Sequence, residues 1–116
     1  MRGSNSKLKD TTKRAVHQKF NRCFECGSTF GLTFSHILKR RWYDDYNDQD
    51  NIVLDCIDCH HIWDNGTFEQ KAKMKSLNQR IKIIEGLRDK SFGEVRRRIE
   101  ARLSVLKYGF SQLNKE

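Results

Sequence analysis

The segment Cys56-Ile-Asp-Cys59-His60-His61 decides how this chain can fold, because it joins a pair of cysteines directly to two histidines. The same spacing occurs upstream in Cys23-Phe-Glu-Cys26, and 29 residues separate the two pairs. A Cys-x-x-Cys turn presents two thiolates to one ion, and zinc takes four ligands in a tetrahedron. The two pairs therefore predict one closed, structural zinc site with no open position for chemistry.

The alternative use of these cysteines is two disulfides. The chain starts with polar, basic sequence, so we expect no signal peptide and a cytoplasmic protein. Closely spaced cysteine pairs in the reducing cytoplasm favour metal over disulfides. With 116 residues, of which 36% are hydrophobic, the chain is expected to form one domain with a small core that needs such a metal. No apolar run is long enough to span a membrane.

Residue patterns predict an α+β domain in three parts. Residues 1–10 are expected to be a disordered tail, and residues 11–66 a zinc-stapled core that opens with a short basic helix. Residues 31–37 alternate apolar and polar side chains as a half-buried strand does, and the β-branched run 51–55 predicts a second strand. A helix should start near Asp55 or Cys56 and end at Gly66.

The helical extension, residues 67–116, is predicted to contain two helices. Thr67 with Gln70 and Ser91 with Glu94 each have the spacing of a capping box, which marks a helix start. Apolar residues follow each box at helical spacing and should form the core. The first set is Met74, Leu77, Ile81, Ile84 and Leu87, and the second is Phe92, Val95, Ile99, Leu103 and Leu106.

The net charge of +8 is unevenly distributed. Residues 1–40 hold 9 Lys/Arg against 2 Asp/Glu, and residues 67–116 hold 13 against 6. Residues 41–66 contain one arginine and seven aspartates. Basic flanks around an acidic centre fit a protein that binds a polyanion and holds divalent cations in its middle. Solvated helix faces rich in lysine and arginine would give the same composition.

The polar residues of the predicted hairpin and helix indicate a functional site only when they are considered together. Singly, each histidine is more commonly a surface or core residue. However, His36 ends the first predicted strand, Asn51 opens the second, and His60 and Asp64 lie four apart on the predicted helix. The last two residues therefore share a face and can chelate one divalent ion.

At this point the chain resembles the HNH endonucleases, whose fold is a β-hairpin and a helix around one metal, the ββα-metal fold. The resemblance covers residues 20–66, about 40% of the chain, and part of that family carries the same four-cysteine zinc site. The segment is also similar to phage recombination nucleases of the NinG type. The matching segments are Cys23, Cys26, Ser35-His36-Ile37, Asn51-Ile-Val-Leu and Cys56-Ile-Asp-Cys59-His60.

The resemblance implies a role for each of these polar residues. His36 would be the general base that activates water, and Asn51 would orient it through the loop. His60 would bind a catalytic Mg²⁺, Mn²⁺ or other divalent ion, with Asp64 as the partner that helical geometry supplies. A neighbouring phosphate of the DNA would be held by one of Lys39, Arg40 and Arg41.

One position departs from the family pattern. Many HNH enzymes have an acidic residue or histidine just before the base as a further metal ligand, and here that residue is Ser35. The site would then rely on Asp64 or on an aspartate of the loop 44–50. His61 is an alternative to His60 if the helix register shifts.

The leading hypothesis is a metal-dependent DNA endonuclease, and the alternative is a non-catalytic zinc-stapled module that binds nucleic acid. A protein-interaction zinc module would leave the charge of +8 unexplained. Substrate specificity, nicking against double-strand cleavage, and the oligomeric state stay open. One HNH site acts on one strand, so cutting both strands at once would need a homodimer.

Overall fold

The computed structural model describes residues 8–113, and most of the predicted tail lies outside the described residues. The first half of the chain contains helix α1 (Asp10–Lys19), strand β1 (Leu32–His36), a single 3-10 turn (Gln49–Asn51), strand β2 (Ile52–Cys56) and helix α2 (Ile57–Asn65). The second half contains helices α3 (Phe68–Ala72), α4 (Leu77–Asp89) and α5 (Gly93–Leu113). The fold is a small α+β architecture, as predicted.

The two strands form an antiparallel hairpin that is covered on both faces. His36 pairs with Ile52 at one end, and Leu32 pairs with Cys56 at the other. Ile52 and Leu54 pack against Val16 of α1, whereas Val53 between them packs into the larger core that the helices form. Because alternate residues of β2 face opposite cores, the register of the hairpin is fixed, and with it the position of His36.

The prediction of two helices after residue 66 is wrong, because the described residues 67–113 form three. The capping box of Thr67 and Gln70 forms, but the helix that it starts ends at Ala72. Helix α4 then starts anew because the Glu25 carboxylate accepts hydrogen bonds from the backbone N–H groups of Lys75 and Ser76, at 2.8 and 2.9 Å. This cap comes from a residue about fifty positions away, so no local pattern reveals it.

The second predicted capping box is also wrong. The Ser91 hydroxyl donates to the carbonyl of Leu87 at 2.7 Å instead of capping the following helix. Gly93, at the start of α5, has a φ of +58°, a left-handed conformation that favours glycine. The chain therefore turns sharply before α5, and Phe92 is left 83% exposed instead of packing inward.

The rest of the two apolar sets forms the core as expected. Ile84, Leu87, Ile99, Leu103 and Leu106 are buried in one cluster with residues of the hairpin and α2. The helical extension is thus packed on the zinc-binding half. Within residues 8–113, no helix has both the length and the apolar character needed to cross a bilayer.

A buried ion pair joins the extension to the hairpin. Arg80 of α4 donates two hydrogen bonds to the Asp55 carboxylate of β2, at 2.6 and 3.0 Å, and both side chains are fully buried. The Arg80 guanidinium also lies 5.2 Å from the ring centroid of Trp63 and 5.3 Å from that of Phe24. A buried ion pair can be stable when the guanidinium binds the carboxylate through two hydrogen bonds and also contacts aromatic rings.

Replacing Arg80 with Met should destabilise the fold by about 3–5 kcal/mol, because the Asp55 carboxylate would be left buried without a counter-charge. Urea unfolding followed by circular dichroism would measure the loss. The matched control is Lys107→Met, which removes an exposed ion pair to Glu85 on α4 and should cost at most about 1 kcal/mol. Equal losses in the two variants would contradict the importance given to the buried pair.

Candidate metal centre and adjoining cleft

The four cysteines converge on one point. Their sulfur atoms all lie within 4.8 Å of one another, and Cys26 Sγ is 3.8 Å from Cys56 Sγ. Zinc–sulfur bonds of about 2.3 Å in a tetrahedron place the sulfurs about 3.8 Å apart. All four thiols are free, so the disulfide alternative does not hold. The number, type and spacing of these donors fit a zinc ion.

Local backbone geometry builds each half of this cluster. In the first turn, the backbone N–H of Cys26 donates to Cys23 Sγ at 3.4 Å, and Gly27 adopts a left-handed φ of +77° as the chain reverses. In the second, Cys56 ends β2 and Cys59 lies in the first turn of α2. Backbone N–H groups there point toward the sulfurs and favour negative charge.

The thiols of the cluster differ in how readily they ionise. Burial opposes ionisation of Cys23, but hydrogen bonds from the backbone of Cys26 and Cys56 bring its pKa below the ordinary value. Burial, and then contact with the neighbouring sulfurs, raises the pKa of Cys59. Four crowded sulfurs can all be thiolates only if a cation offsets their repulsion, which is what a coordinated metal ion provides.

Next to the cysteine cluster, the hairpin and α2 enclose an open cleft of about 270 Å³. The structure brings together five of the predicted site residues there, and adds two aromatic residues to the lining. The predicted residues in the lining are His36, Lys39, Arg40, His60 and Asp64, and the added ones are Phe34 and Tyr46.

His36 is held in one orientation by Tyr46. Its Nε2 lies 2.9 Å from the Tyr46 carbonyl oxygen, and the two rings stack with centroids 4.3 Å apart. A carbonyl can only accept, so Nε2 carries the ring proton and Nδ1 keeps a free lone pair. Burial lowers the pKa of His36, although the hydrogen bond to Tyr46 and the charge of Asp64 oppose that shift. The ring is therefore a neutral base at neutral pH.

His60 presents its other nitrogen to Asp64. The Thr33 hydroxyl donates to the Asp55 carbonyl at 2.8 Å, so it accepts from His60 Nδ1, which is 2.7 Å away. His60 Nε2 then lies 3.2 Å from Asp64 Oδ2. In a neutral His60 these two atoms are both acceptors, and a proton or a metal ion must lie between them. The hydrogen bond to Asp64 outweighs burial and raises the pKa of His60.

Asn51 fixes the loop that follows His36 without touching His36 itself. Its side chain is fully buried, accepts from the backbone N–H of Leu38 at 2.8 Å, and donates to the Leu38 carbonyl at 2.9 Å. Its own carbonyl accepts from the N–H of Ile37 at 2.8 Å. Asn51 is thus placed to position the end of β1 through the backbone.

Other predicted candidates lie away from the cleft. Ser35 is fully buried, and its hydroxyl finds no hydrogen-bond partner among the described residues. His61 is exposed and does not line the cleft. Within the loop 44–50, Asp48 and Asp50 pair with Lys90 instead. Asp64 is therefore the carboxylate that faces His60.

The basic triplet is divided by the loop conformation. Lys39 and Arg40 line the cleft, and the Arg40 guanidinium lies 4.6 Å from the centroid of the Tyr46 ring. Arg41 instead lies 5.9 Å from the Trp42 ring, outside the cleft lining. Sequence reasoning missed Thr33 and Tyr46, because the contact of Tyr46 is made by a backbone carbonyl and that of Thr33 depends on hairpin register.

No protein-family model matches this chain, and neither a curated protein nor a solved structure matches it.

Replacing Cys56 with Ser should remove the bound zinc and unfold the domain, because three thiolates with one weak hydroxyl cannot close the site. Zinc content by atomic absorption and folding by circular dichroism would be measured together. The control is Asp58→Asn, an exposed change in the same turn, which should keep both. A folded, zinc-free Cys56 variant would show that the cluster is not a structural site.

Proposed function

We propose that this chain is a metal-dependent endonuclease of the HNH type that hydrolyses phosphodiester bonds of DNA. The observation that carries the proposal is the shared cleft: a free imidazole nitrogen of His36 and an acceptor pair of His60 and Asp64 line the same opening. The strand–strand–helix order around this cleft is the order expected of a ββα-metal core.

In this proposal His36 is the general base. Its Nδ1 takes a proton from the water that attacks the scissile phosphorus atom, while Nε2–H stays bonded to the Tyr46 carbonyl. The stacking of His36 on Tyr46 restricts the ring to one orientation, so the lone pair needs no rearrangement before it acts. Asn51 serves as a positioning residue, because it fixes the backbone next to His36.

His60 and Asp64 would hold the divalent ion. Thr33 fixes the tautomer of His60 so that Nε2 is the ligand atom, as a hydrogen-bonded partner commonly does for metal-binding histidines. Such an ion, when bound, neutralises charge on the scissile phosphate and on the leaving oxygen. Two protein ligands leave positions for water and phosphate, and the mixed imidazole and carboxylate set is open to Mg²⁺, Mn²⁺ or another divalent ion.

The charge distribution supports DNA as the substrate class. The net charge of +8 favours a polyanion, and Lys39 and Arg40 face the cleft where a phosphate next to the scissile one would pass. One cleft in each chain serves one strand, so we expect a nick from a single copy. Free thiols for the zinc site require a reducing compartment such as the cytoplasm.

One observation favours the alternative, a zinc-stapled module that binds nucleic acid without cleaving it. A protonated His60 satisfies Asp64 through a simple ion pair, with no metal between them. The same cleft would then be only a contact surface for phosphates. Activity assays separate the two functions.

Replacing His36 with Ala should lower Mg²⁺- or Mn²⁺-dependent plasmid nicking by at least about 100-fold, because a general base contributes that much or more. Zinc content and circular dichroism should not change. The matched control, His61→Ala, removes an exposed histidine outside the cleft and should nick as the wild type does. Full activity of the His36 variant would remove the base assignment, and absence of nicking by the wild type with either metal would favour the non-catalytic module.

The pH dependence of nicking should report the lowered pKa of His36. A base must be unprotonated, so the rate at saturating divalent ion should rise with pH and level off with a midpoint below about 6.5, the ordinary value for histidine. At saturating divalent ion His60 is occupied as a ligand, so a midpoint above that value would belong to a group other than His36. That result would contradict His36 as the titrating base.

A further inference from the structure

Beside the cleft, positively charged side chains of the helical extension and of the basic loop lie close to two tryptophans. Lys39 and Asp64 line the cleft and also a narrow neighbouring recess, where Trp42, Trp63 and Arg102 join them. The recess thus continues the cleft toward α3 and α5. Lys71 of α3 lies against one residue of this lining, with its ammonium 5.5 Å from the centroid of the Trp63 ring.

Lys71 is an unusual lysine because it is only 6% exposed. Within residues 8–113, its ammonium makes no ion pair or hydrogen bond; it lies over the Trp63 ring and feels the charge of Asp64 from beyond ion-pair distance. Burial lowers its pKa first, followed by the positive charges of Arg102 and Lys39. A largely buried lysine whose nearest carboxylate lies beyond ion-pair distance is costly, and an anion that binds beside it would offset the cost.

Arg102 of α5 stands in a similar environment. Its guanidinium lies 5.7 Å from the Trp42 ring, and no carboxylate in the described part of the chain pairs with it. Burial and then the charge of Arg41 lower its pKa. The other arginines of this helix all have glutamate partners: Arg96 pairs with Glu100, and both Arg97 and Arg98 pair with Glu94.

Asp64 does not neutralise this group of cations. It interacts with Lys71 and Lys39, but its carboxylate also faces His60 at 3.2 Å and would be a metal ligand in the proposed function. Three lysine and arginine side chains therefore share, at most, part of one carboxylate. Such a surplus of positive charge next to a cleft suits an anion from solution.

We propose that Lys39, Lys71 and Arg102 form a phosphate subsite that holds the backbone of the nucleic-acid strand beside the proposed scissile position. The location of the subsite relative to a cleaved bond rests on the proposed function, whereas phosphate binding itself does not. Trp42 and Trp63 supply the aromatic part of the recess, and their rings contact Arg102 and Lys71, respectively. Since phosphates are the same for every base, the subsite should bind all sequences alike.

The subsite gives the helical extension a part in substrate binding. Lys71 and Arg102 lie in residues 67–116, outside the segment that carries the zinc and the histidines. Arg102 lines the recess, and Lys71 lies against the ring of Trp63, which also lines it. The extension would then contribute ligands for DNA as well as core residues.

The test is DNA binding by the full chain carrying Lys71→Gln and Arg102→Gln together. Fluorescence anisotropy of a labelled duplex would be followed between about 50 and 200 mM NaCl without added divalent ion, so that no cleavage occurs. We expect about tenfold weaker binding at the lowest salt, and a slope of log affinity against log salt reduced by about 1 to 2. The loss should be the same for unrelated sequences.

The matched control is Arg88→Gln with Lys107→Gln, which removes two positive charges from a groove between α4 and α5. It should keep nearly all of the wild-type slope. Arg102→Gln alone changes a half-buried residue and leaves Lys71 in place, so it tests the subsite without the risk of a folding defect at Lys71. Arg102→Lys keeps the positive charge and should restore the slope of log affinity against log salt. Circular dichroism and zinc content would be checked for each variant.

Binding by the double variant equal to that of the charge-matched control would overturn the subsite. If that result came with nicking that depends on His36, the subsite alone would fall. If the double variant lost affinity as expected while the wild type cut no DNA with either metal, the subsite would stand and the nuclease proposal would fall.

Discussion

The four-cysteine cluster is the constraint on which the other features of the fold depend. It ties the turn at Cys23–Cys26 to the junction of β2 and α2, although 29 residues separate the two pairs. Fixing that junction sets the rotation of α2, so that the residues four apart, His60 and Asp64, face β1 rather than solvent. The first turn has a second effect, because Glu25 lies inside it and caps α4. One ion would therefore order both the cleft and the start of the helical extension.

The Asp55–Arg80 ion pair connects the region of the cysteine cluster to the helices of the extension. Asp55 Oδ1 is 3.8 Å from Cys23 Sγ and also accepts from Arg80, so the ion pair lies against the metal cluster. A buried pair of this kind is weak evidence for stability, since an apolar pair of equal volume often does as well. Its two-pronged geometry does fix how α4 lies relative to β2. We infer that the pair specifies the docking of the extension, with Ser76 bonded to both Arg80 and Glu25.

The sequence predicted the hairpin, α2 and the cysteine site well because these rest on local spacing. Strand alternation, a Cys-x-x-Cys turn and an i, i+4 pair are all visible within ten residues. The break between α3 and α4 and the burial of Arg80 were not predictable, because each depends on a partner distant in sequence. The burial of Lys71 was not predictable either, because it depends on how α3 packs in the fold. By residue type alone, Arg80 and Lys71 would be placed on the surface. For the cleft, the residues His36, His60 and Asp64 could be predicted from the sequence, but the orientation of the two imidazole rings depends on Tyr46 and Thr33.

The electrostatics of the cleft explain why the core and the extension act as one unit. At one end, His60 Nε2 and Asp64 Oδ2 are 3.2 Å apart, so a proton or a metal ion must lie between them, and a divalent ion would fit there. At the other end, Lys71 and Arg102 are cations without carboxylates of their own in the described chain, which favours an anion. A phosphodiester next to a divalent ion meets both requirements at once, and neither half of the chain meets them alone. We therefore infer that the unpaired acceptors and the unpaired cations on the two sides of Asp64 are complementary to a phosphodiester with its bound divalent ion.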